Sequence, residues 1–253
     1  MPPLILVERE PGVVTFVFNR SERRNALTVA MLEELVAALE NAISDETVRV
    51  IILRGAGSSF SSGFDLAEGQ DLEASLRHGE LLVQVQMLLA EAPQVCIAAA
   101  HGYALAGGGA IIAACDYAVA AEDAQFGYPV LKVGIVPTPG MPFLRHELRD
   151  RDFRALVLGG ELIGGKRAWE IGLVNKVMPT PDDAVEEAKR FASLILQSSP
   201  RAVAATKKFS NALTRRDLRH EMEEALEIYK AVRKGDEAAE GLKAFVEKRA
   251  PVW

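Results

Sequence analysis

The chain carries the segment His101-Gly-Tyr-Ala-Leu-Ala-Gly-Gly-Gly-Ala110 directly after an apolar run, Val95–Ala99, that predicts a buried strand. Its three consecutive glycines open a short apolar helix. An earlier segment, Phe60-Ser-Ser-Gly-Phe-Asp-Leu66, likewise follows a predicted strand. Glycines let a backbone approach a ligand closely, and the first turn of a helix directs free N–H groups at negative charge. Either segment alone is also typical of a tightly packed turn, so their joint occurrence carries the prediction of a backbone oxyanion site.

Composition limits the classes of function. The 253 residues suit one large domain, or one domain with a small appendage, and 49% are apolar. A net charge of −6 and 6% aromatic residues give no basic or base-stacking surface, so we expect no nucleic-acid partner. Two cysteines in apolar stretches, Cys96 and Cys115, predict a reducing, cytoplasmic setting, and four scattered histidines show no metal-ligand spacing. The sequence predicts neither a signal peptide nor a membrane span.

Strand and helix signals alternate in the first half of the sequence. β-Branched and aromatic residues predict strands in four places: 13–18, 48–53, 95–99 and 117–120. Thr28 is placed to cap a helix whose apolar positions are spaced three, four and seven apart, and a second helix is predicted from about residue 72 to residue 90. This order predicts a layered α/β core with helical crossovers between strands.

The pattern changes at about residue 140. Strand signals almost vanish beyond it, apart from a run near 174–177. Prolines punctuate a series of predicted helices near 152–159, 166–171, 181–197, 200–213, 217–233 and 236–248. The sequence therefore predicts an α/β core over residues 1–195 and a C-terminal helical section over residues 196–253.

The two glycine-containing segments resemble the crotonase (enoyl-CoA hydratase/isomerase) superfamily. Four further motifs resemble the same family in chain order: Asn19-Arg-Ser-Glu-Arg-Arg-Asn-Ala-Leu-Thr28, Asp116-Tyr-Ala-Val-Ala-Ala-Glu-Asp-Ala-Gln-Phe-Gly127, Gly172-Leu-Val-Asn-Lys-Val177 and Phe245-Val-Glu-Lys-Arg-Ala-Pro-Val-Trp253. The resemblance covers nearly the whole chain. It implies a crotonase-like layered β-β-α superhelix core. It also implies a homotrimer or a dimer of trimers, with the C-terminal helical section packed between subunits.

The resemblance also implies a ligand and the residues that contact it. In that family an acyl-CoA thioester binds with its carbonyl oxygen between two backbone N–H donors, which stabilise the enolate. The implied donors are the N–H groups of Phe64 and Gly107, with Gly108 as the alternative if the register differs by one residue. The implied ligand contacts are Arg24, Ala26, Ser62, Gly63, Asp65, Leu66, Gly108, Tyr128 and Thr138. CoA enters as part of the substrate, and no separate cofactor or metal is implied.

Basic residues offer two candidate contacts for the CoA phosphates. Arg20, Arg23 and Arg24 cluster before the first predicted helix, in a loop that lines the CoA site in the family. The alternative is that they only solvate the loop. Lys207 and Lys208 either reach the nucleotide, as lysines near the C-terminus do in related enzymes, or lie on an ordinary solvated helix face.

The family resemblance does not extend to its two catalytic glutamates. Their places hold Ala110 and Val130, and neither position has a carboxylate close enough for a shifted alignment to supply one. A third position, where some relatives have aspartate or tyrosine, is Thr138. The remaining protic candidates are Tyr128, Asp65, Glu68 and Asp71, of which the three acids are also typical of loop bracing or helix capping.

Two hypotheses about function follow from this combination. The first is an enoyl-CoA isomerase or hydratase-like enzyme with atypical or weak hydratase activity and an unrecognised acid/base. The second is a non-catalytic acyl-CoA-binding or regulatory protein, favoured by the apolar residues Ala110 and Val130. The acyl group and the pathway are not specified by the sequence.

Overall fold

The computed structural model describes residues 2–214 and 217–252, so Met1 and the terminal Trp253 of the C-terminal motif lie outside the described residues. Its strands are β1 (Ile5–Glu10), β2 (Val13–Phe18), β3 (Val50–Gly55), β4 (Val95–Ala100), β5 (Tyr103–Leu105), β6 (Tyr117–Ala121), β7 (Gln125–Gly127), β8 (Ile163–Gly164) and β9 (Lys176–Met178). The larger sheet has the order β1-β2-β3-β4-β6-β9, and a smaller one has the order β5-β7-β8. Within the larger sheet only β1 is antiparallel to its neighbour.

The α-helices connect and cover these strands. They are α1 (Val29–Ser44), α2 (Leu72–Glu91), α3 (Gly107–Ala113), α4 (Met141–Glu147), α5 (Asp150–Gly159), α6 (Gly165–Ile171), α7 (Pro181–Leu196), α8 (Pro200–Thr214), α9 (Leu218–Arg233) and α10 (Asp236–Val246). Short 3-10 helices lie at Ser21–Arg23, Glu68–Gln70, Pro129–Val133 and Thr138–Gly140. None of the described helices combines the length and the hydropathy needed to cross a bilayer.

The larger sheet lies between two layers of helices. Alternate side chains of β3 point to opposite faces, as the two-residue period of a strand requires. Ile51 and Leu53 join the main core, to which α1, α2 and α3 contribute, whereas Val50 and Ile52 pack with residues of α7. The predicted layered α/β architecture is therefore confirmed.

Side-chain caps fix where the first two long helices begin. The Thr28 hydroxyl accepts a hydrogen bond from the Met31 N–H, as its position before the apolar stripe predicted. Asp71 accepts hydrogen bonds from the N–H groups of Glu73 and Ala74 and so caps α2. These caps set where α1 and α2 begin.

The C-terminal helices pack on their own chain. Helix α9 lies against α2, and α10 lies against the 3-10 helix at Pro129–Val133. Lys207 of α8 corrects both sequence interpretations, because its ammonium group is buried rather than solvated or free for a nucleotide. It donates to the carbonyls of Leu89 and Gln94, both at 2.9 Å, and to the Asp116 carboxylate at 2.7 Å.

Candidate active site

Backbone hydrogen bonds bring the two glycine-containing segments side by side. The Ser61 N–H donates to the Tyr103 carbonyl at 2.8 Å, and the Leu105 N–H donates to the Ser61 carbonyl at 2.9 Å. On its other side the earlier segment pairs with Leu27, whose N–H donates to the Gly63 carbonyl at 2.7 Å. Residues 61–63 therefore lie between Leu27, which comes just before α1, and β5, the strand that leads into α3.

Gly63 has to be a glycine because it touches the start of α3. Its φ is +84°, a left-handed conformation that favours glycine. A Cβ atom there would lie 2.7 Å from the Leu105 carbonyl oxygen and 3.4 Å from the Gly107 nitrogen. The residue after Gly63 is Phe64, so the two predicted donors, the N–H groups of Phe64 and Gly107, belong to neighbouring pieces of backbone.

Both predicted donors are uncommitted. Among the hydrogen bonds of the described residues, neither the Phe64 N–H nor the Gly107 N–H has an acceptor. Gly107 is the first residue of α3, where N–H groups have no partner within the helix. Ala106 before it has a φ of 45° and a ψ of −111°, a strained conformation for a non-glycine residue that sets the entry into the helix.

Gly108, the alternative donor, has a packing role in this arrangement. A Cβ atom at Gly108 would lie 2.9 Å from the Ser61 carbonyl oxygen and 3.0 Å from the Ser61 Cβ. Gly108 does not line the cavity onto which Phe64 and Gly107 face. The register with Gly107 as donor therefore agrees better with the geometry.

A small, partly open cavity is lined both by the residues of the two predicted donors and by the two positions at which the family places glutamates. This inner cavity has a volume of about 40 Å³, enough for one or two waters. Its lining is mostly apolar and comprises Phe64, His78, Gly79, Leu82, Ala106, Gly107, Ala110, Tyr128, Val130, Ile135, Val136, Pro137, Pro139, Gly140 and Tyr229. None of these residues is an aspartate or a glutamate.

His78 is a polar residue in this lining that the sequence analysis did not single out. Its ring packs on the Phe64 ring with 4.2 Å between centroids, and its Nε2 has no hydrogen-bond partner among the described residues. Burial lowers the pKa of His78 to about 3, so the imidazole is neutral at physiological pH. His78 lies three residues before Leu81, on the apolar stripe of α2. This spacing is the sequence signal from which a buried position could have been predicted.

Tyr128 is buried beside the same cavity, but its hydroxyl is not poised as a base. The hydroxyl oxygen lies 2.9 Å from where a Cβ of Gly109 would be, and it has no hydrogen-bond partner among the described residues. Burial raises the pKa of this phenol still further above its ordinary value. Tyr128 therefore contributes shape and a neutral hydroxyl to the site.

A larger outer chamber adjoins the inner cavity and shares three of its lining residues, Phe64, Ala106 and Val130. Its volume is about 340 Å³, and the rest of its lining is Ser62, Leu66, Pro129, Lys132, Val133, Gly241, Phe245, Arg249 and Pro251. Two basic residues, Lys132 and Arg249, thus line it, and Arg249 is paired with Glu240 and Glu247, both at 2.6 Å. The C-terminal motif contributes to this chamber through residues of the same chain.

Several predicted site residues have hydrogen-bond partners within the chain. The Asp65 carboxylate pairs with Arg20 at 2.6 Å and accepts from the Ala67 N–H, so it braces its own loop as predicted. Glu68 accepts from the Val29 N–H at 2.8 Å. Thr138 does not line the inner cavity, because its hydroxyl donates to the Ala225 carbonyl of α9 at 2.7 Å.

The implied CoA loop lies next to the earlier segment. The Arg24 carbonyl accepts from the Ser62 N–H at 2.9 Å, and the exposed Arg24 guanidinium lies 5.1 Å from the centre of the Tyr103 ring. Ala26 is buried, and its carbonyl accepts from Arg20. Arg24 and Ala26 are therefore adjacent to the site, although neither lines the inner cavity or the outer chamber.

Comparisons with known proteins identify the family of the chain. The family model described as enoyl-CoA hydratase/isomerase matches residues 8–253. The 2,3-dehydroadipyl-CoA hydratase of Escherichia coli is 31% identical over 248 residues, covering 98% of this chain and 97% of its own. The crotonyl-CoA hydratase of Syntrophomonas wolfei is 31% identical over 249 residues, covering 97% and 95%.

A solved structure gives the same result for the fold. The crystal structure of an enoyl-CoA hydratase from Mycobacterium avium subsp. paratuberculosis superposes with a TM-score of 0.88 at 26% identity, covering 99% of this chain and 98% of its own. The chain belongs to the enoyl-CoA hydratase/isomerase family, the crotonase superfamily. The predicted crotonase-like fold is confirmed.

Proposed function

We propose that this protein binds an acyl-CoA thioester with the thioester oxygen between the N–H groups of Phe64 and Gly107. The observation that carries the proposal is that neither N–H group has an acceptor among the described residues, while Phe64 and Gly107 both line one cavity. A negative charge that develops on the thioester oxygen would meet two preorganised donors, and one such donor typically contributes 10²–10³ in rate. The outer chamber then holds part of the CoA arm, beside Lys132 and Arg249.

We further propose an isomerase or hydratase-like reaction with weak or atypical hydration. Hydration needs a water that is held and activated by proton acceptors. The cavity lining offers neutral His78 and neutral Tyr128 but no carboxylate, with Ala110 and Val130 at the two positions where the resemblance predicts glutamates. A shift of a double bond needs only a stabilised enolate and one group that carries the proton. It therefore requires fewer catalytic groups in the lining than hydration does.

The second candidate is a non-catalytic acyl-CoA-binding or regulatory protein. The apolar lining of the inner cavity favours it, because an apolar wall suits an acyl chain and disfavours an ordered water. The glycine-rich backbone does not separate the two candidates, since Gly63 and Gly108 are also required by packing.

Deuterium incorporation tests the proposal directly. The protein is incubated in D₂O with 2-enoyl- and 3-enoyl-CoA esters, and label is located by mass spectrometry. Label at the α- or γ-carbon, or a shifted double bond, supports the enzyme. Binding of the esters without label supports the second candidate, and no binding of any CoA ester contradicts both.

A pair of variants isolates the backbone donor. Gly107→Pro removes the N–H, and proline is tolerated at the first position of a helix. Gly107→Ala keeps the N–H and adds a Cβ near Leu27, so it serves as the matched control. We expect exchange in Gly107→Pro to fall by about 10²–10³ relative to Gly107→Ala. Equal exchange in both folded variants would contradict the assignment of Gly107.

The assembly and setting are proposed on the resemblance. We propose a homotrimer or dimer of trimers in the cytoplasm, with CoA as part of the substrate and no further cofactor. The exposed apolar residues of α8 and of α5 and α6 give subunits a surface to share, among them Leu158, Trp169, Phe209 and Leu213.

A further inference from the structure

A second cavity lies between the turn at Gly69–Leu72 and the junction of α9 with α10. Its volume is about 390 Å³, and it shares no lining residue with the inner cavity or the outer chamber. Three cations line it, Arg233, Lys234 and Lys243. The mechanism proposed above uses none of them.

Arg233 is a buried cation with no anion to balance it. Only 4% of the residue is exposed, and within the described residues no carboxylate pairs with it. Its Nη2 donates to the Gly69 carbonyl at 2.8 Å and to the Ser75 hydroxyl at 2.7 Å, both uncharged acceptors. Its Nε has no partner at all among the described residues. A buried cation with an N–H group that has no acceptor costs folding free energy unless an anion pairs with it.

Lys234 and Lys243 add to the positive charge of this cavity. Helix α10 begins there with no side-chain cap at Gly235, and its first turn carries two acids, Asp236 and Glu237. Two acids, Asp236 and Glu247, also line the cavity, but Glu247 is already paired with Arg249 at 2.6 Å. The cations therefore exceed the unpaired acids in the lining.

We propose that this cavity binds an oxyanion, a phosphate or carboxylate group of a small molecule, with Arg233 as its main partner. Arginine suits such groups because its planar fork of donors matches their oxygens. Lys234 and Lys243 stand at the exposed side, where a ligand enters. This site goes beyond the proposed function, on which it rests only where the CoA ester supplies the anion.

The site is close to the inner cavity. A Cβ atom at Gly69 would lie 2.8 Å from Cε1 of Phe64 and 3.4 Å from Cδ2 of Leu242, so about one layer of side chains separates the two spaces. The oxyanion thus has two possible sources. One is a separate small phosphate, and the other is a charged group of the CoA ester itself.

Thermal unfolding of the full chain in inorganic phosphate, at constant ionic strength against chloride, tests the site. The test variant is Arg233→Met. The matched control is Arg54→Met, because Arg54 lines a cavity of similar size but is already paired with Glu8 at 2.6 Å. We expect phosphate to raise the Tm of the wild type and of the control. We expect phosphate binding to the test variant to be weaker by at least about tenfold.

Binding of CoA esters distinguishes the sources. If the acyl group supplies the anion, adipyl-CoA binds more tightly than hexanoyl-CoA, and Arg233→Met removes the preference. If CoA supplies it, the difference between CoA and 3′-dephospho-CoA disappears in the variant. If a separate phosphate is the ligand, neither preference changes while the Tm effect remains.

The proposal is overturned if phosphate leaves the wild-type Tm unchanged and neither CoA comparison depends on Arg233. If Arg233→Met fails to fold, the wild type still decides, because the absence of a phosphate effect on its Tm and of both CoA preferences overturns the proposal. In that event Lys234→Met and Lys243→Met, at exposed positions, report the contribution of the flanking cations. Failure of the proposed function would instead appear as loss of CoA-ester binding with the phosphate effect intact.

Discussion

Ala110 and Val130 determine what the inner cavity can do chemically. Ala110 is buried on α3 one turn after Gly107, so its Cβ faces the same space as the candidate donor. A Cβ added at Gly140 would lie 2.9 Å from that of Ala110, which shows how closely the opposite wall approaches. Ala110 and Val130 both line the cavity, so a carboxylate at either position would face it.

Ala110→Glu combined with Val130→Glu should create hydratase activity. The two carboxylates would supply the proton acceptors that the lining lacks, and one positioned general base typically contributes 10²–10⁴ in rate. The measurement is loss of the enoyl absorbance of crotonyl-CoA. The matched control is Ala110→Gln with Val130→Gln, which has the same size without charge. No gain in a folded double variant that still binds CoA esters would refute the placement of the site.

His78 should make stability fall as the pH is lowered. In the folded protein its pKa is about 3, whereas an unfolded histidine titrates near 6.5. Between these values the unfolded chain binds the proton and the folded chain does not. The folded protein therefore has its full stability above about pH 6.5 and loses it progressively towards pH 3. The loss is up to about tenfold in the unfolding equilibrium constant for each pH unit.

Urea unfolding at several pH values checks the role of His78. His78→Gln should unfold with a shallower pH dependence than the wild type, whatever its stability at neutral pH. His220→Gln, at an exposed position, should follow the wild type. Parallel pH profiles for the wild type and His78→Gln would show that the imidazole is not held neutral.

The elements that could be predicted from the sequence are those with a clear period or composition. Strands β2, β3, β4 and β6 are apolar runs, and each was predicted within about two residues. β1 was missed because its second half, Glu8-Arg9-Glu10, is charged, as suits an exposed edge strand. β5, β7 and β8 have at most three residues, too few for a period.

The site could be predicted only in part, for a similar reason. The local sequence predicts the conformation of the glycine-rich segments, because Gly63 and the start of α3 need glycine. The far wall of the inner cavity comes from residues 135–140 and from Tyr229 of α9, which meet only in the folded chain. Nothing in the local sequence shows that the Thr138 hydroxyl donates a hydrogen bond to a backbone carbonyl of α9.

Lys207 anchors α8 to β4 and should be required for stability. Its ammonium group satisfies two carbonyls and the Asp116 carboxylate from a position where the side chain is 7% exposed. Lys207→Met leaves the partly exposed Asp116 without its cation and two buried carbonyls without their donor, and an unsatisfied buried acceptor typically costs about 1–3 kcal/mol.

Chemical unfolding at neutral pH measures the cost of losing Lys207. Lys208→Met is the matched control, because Lys208 is the exposed neighbour on the same helix and should stay within about 0.5 kcal/mol of the wild type. Similar unfolding midpoints for both variants would show that the buried pair adds nothing to the attachment of α8.

Taken as a whole, the chain leaves an apolar surface uncovered on its C-terminal half. Phe209 and Leu213 lie one turn apart on α8 and are 65% and 66% exposed. An exposed apolar surface of this kind is typical of one that packs against a partner outside the subunit. The proposed trimer provides it.

Phe209→Glu with Leu213→Glu should shift the protein towards monomers. Charges buried at a subunit interface are not compensated there, whereas in the monomer they face water. Light scattering after size-exclusion chromatography gives the mass. Val7→Glu, on the edge strand β1 at a half-exposed position, is the control. A monomeric wild type, or a double variant that keeps the wild-type mass, would contradict the proposed interface.

The inner cavity is built from residues between Phe64 and Tyr229, and the outer chamber extends to Pro251. A ribosome needs roughly ten to thirty seconds to synthesise the intervening stretch at typical rates. During that time the apolar walls contributed by Ile135 and Val136 are made before α9, which completes the cavity. A CoA ester cannot stabilise the growing chain by binding, since ligands stabilise only a state that already has the site. Early protection of these walls therefore falls to chaperones or to transient contacts within the nascent chain.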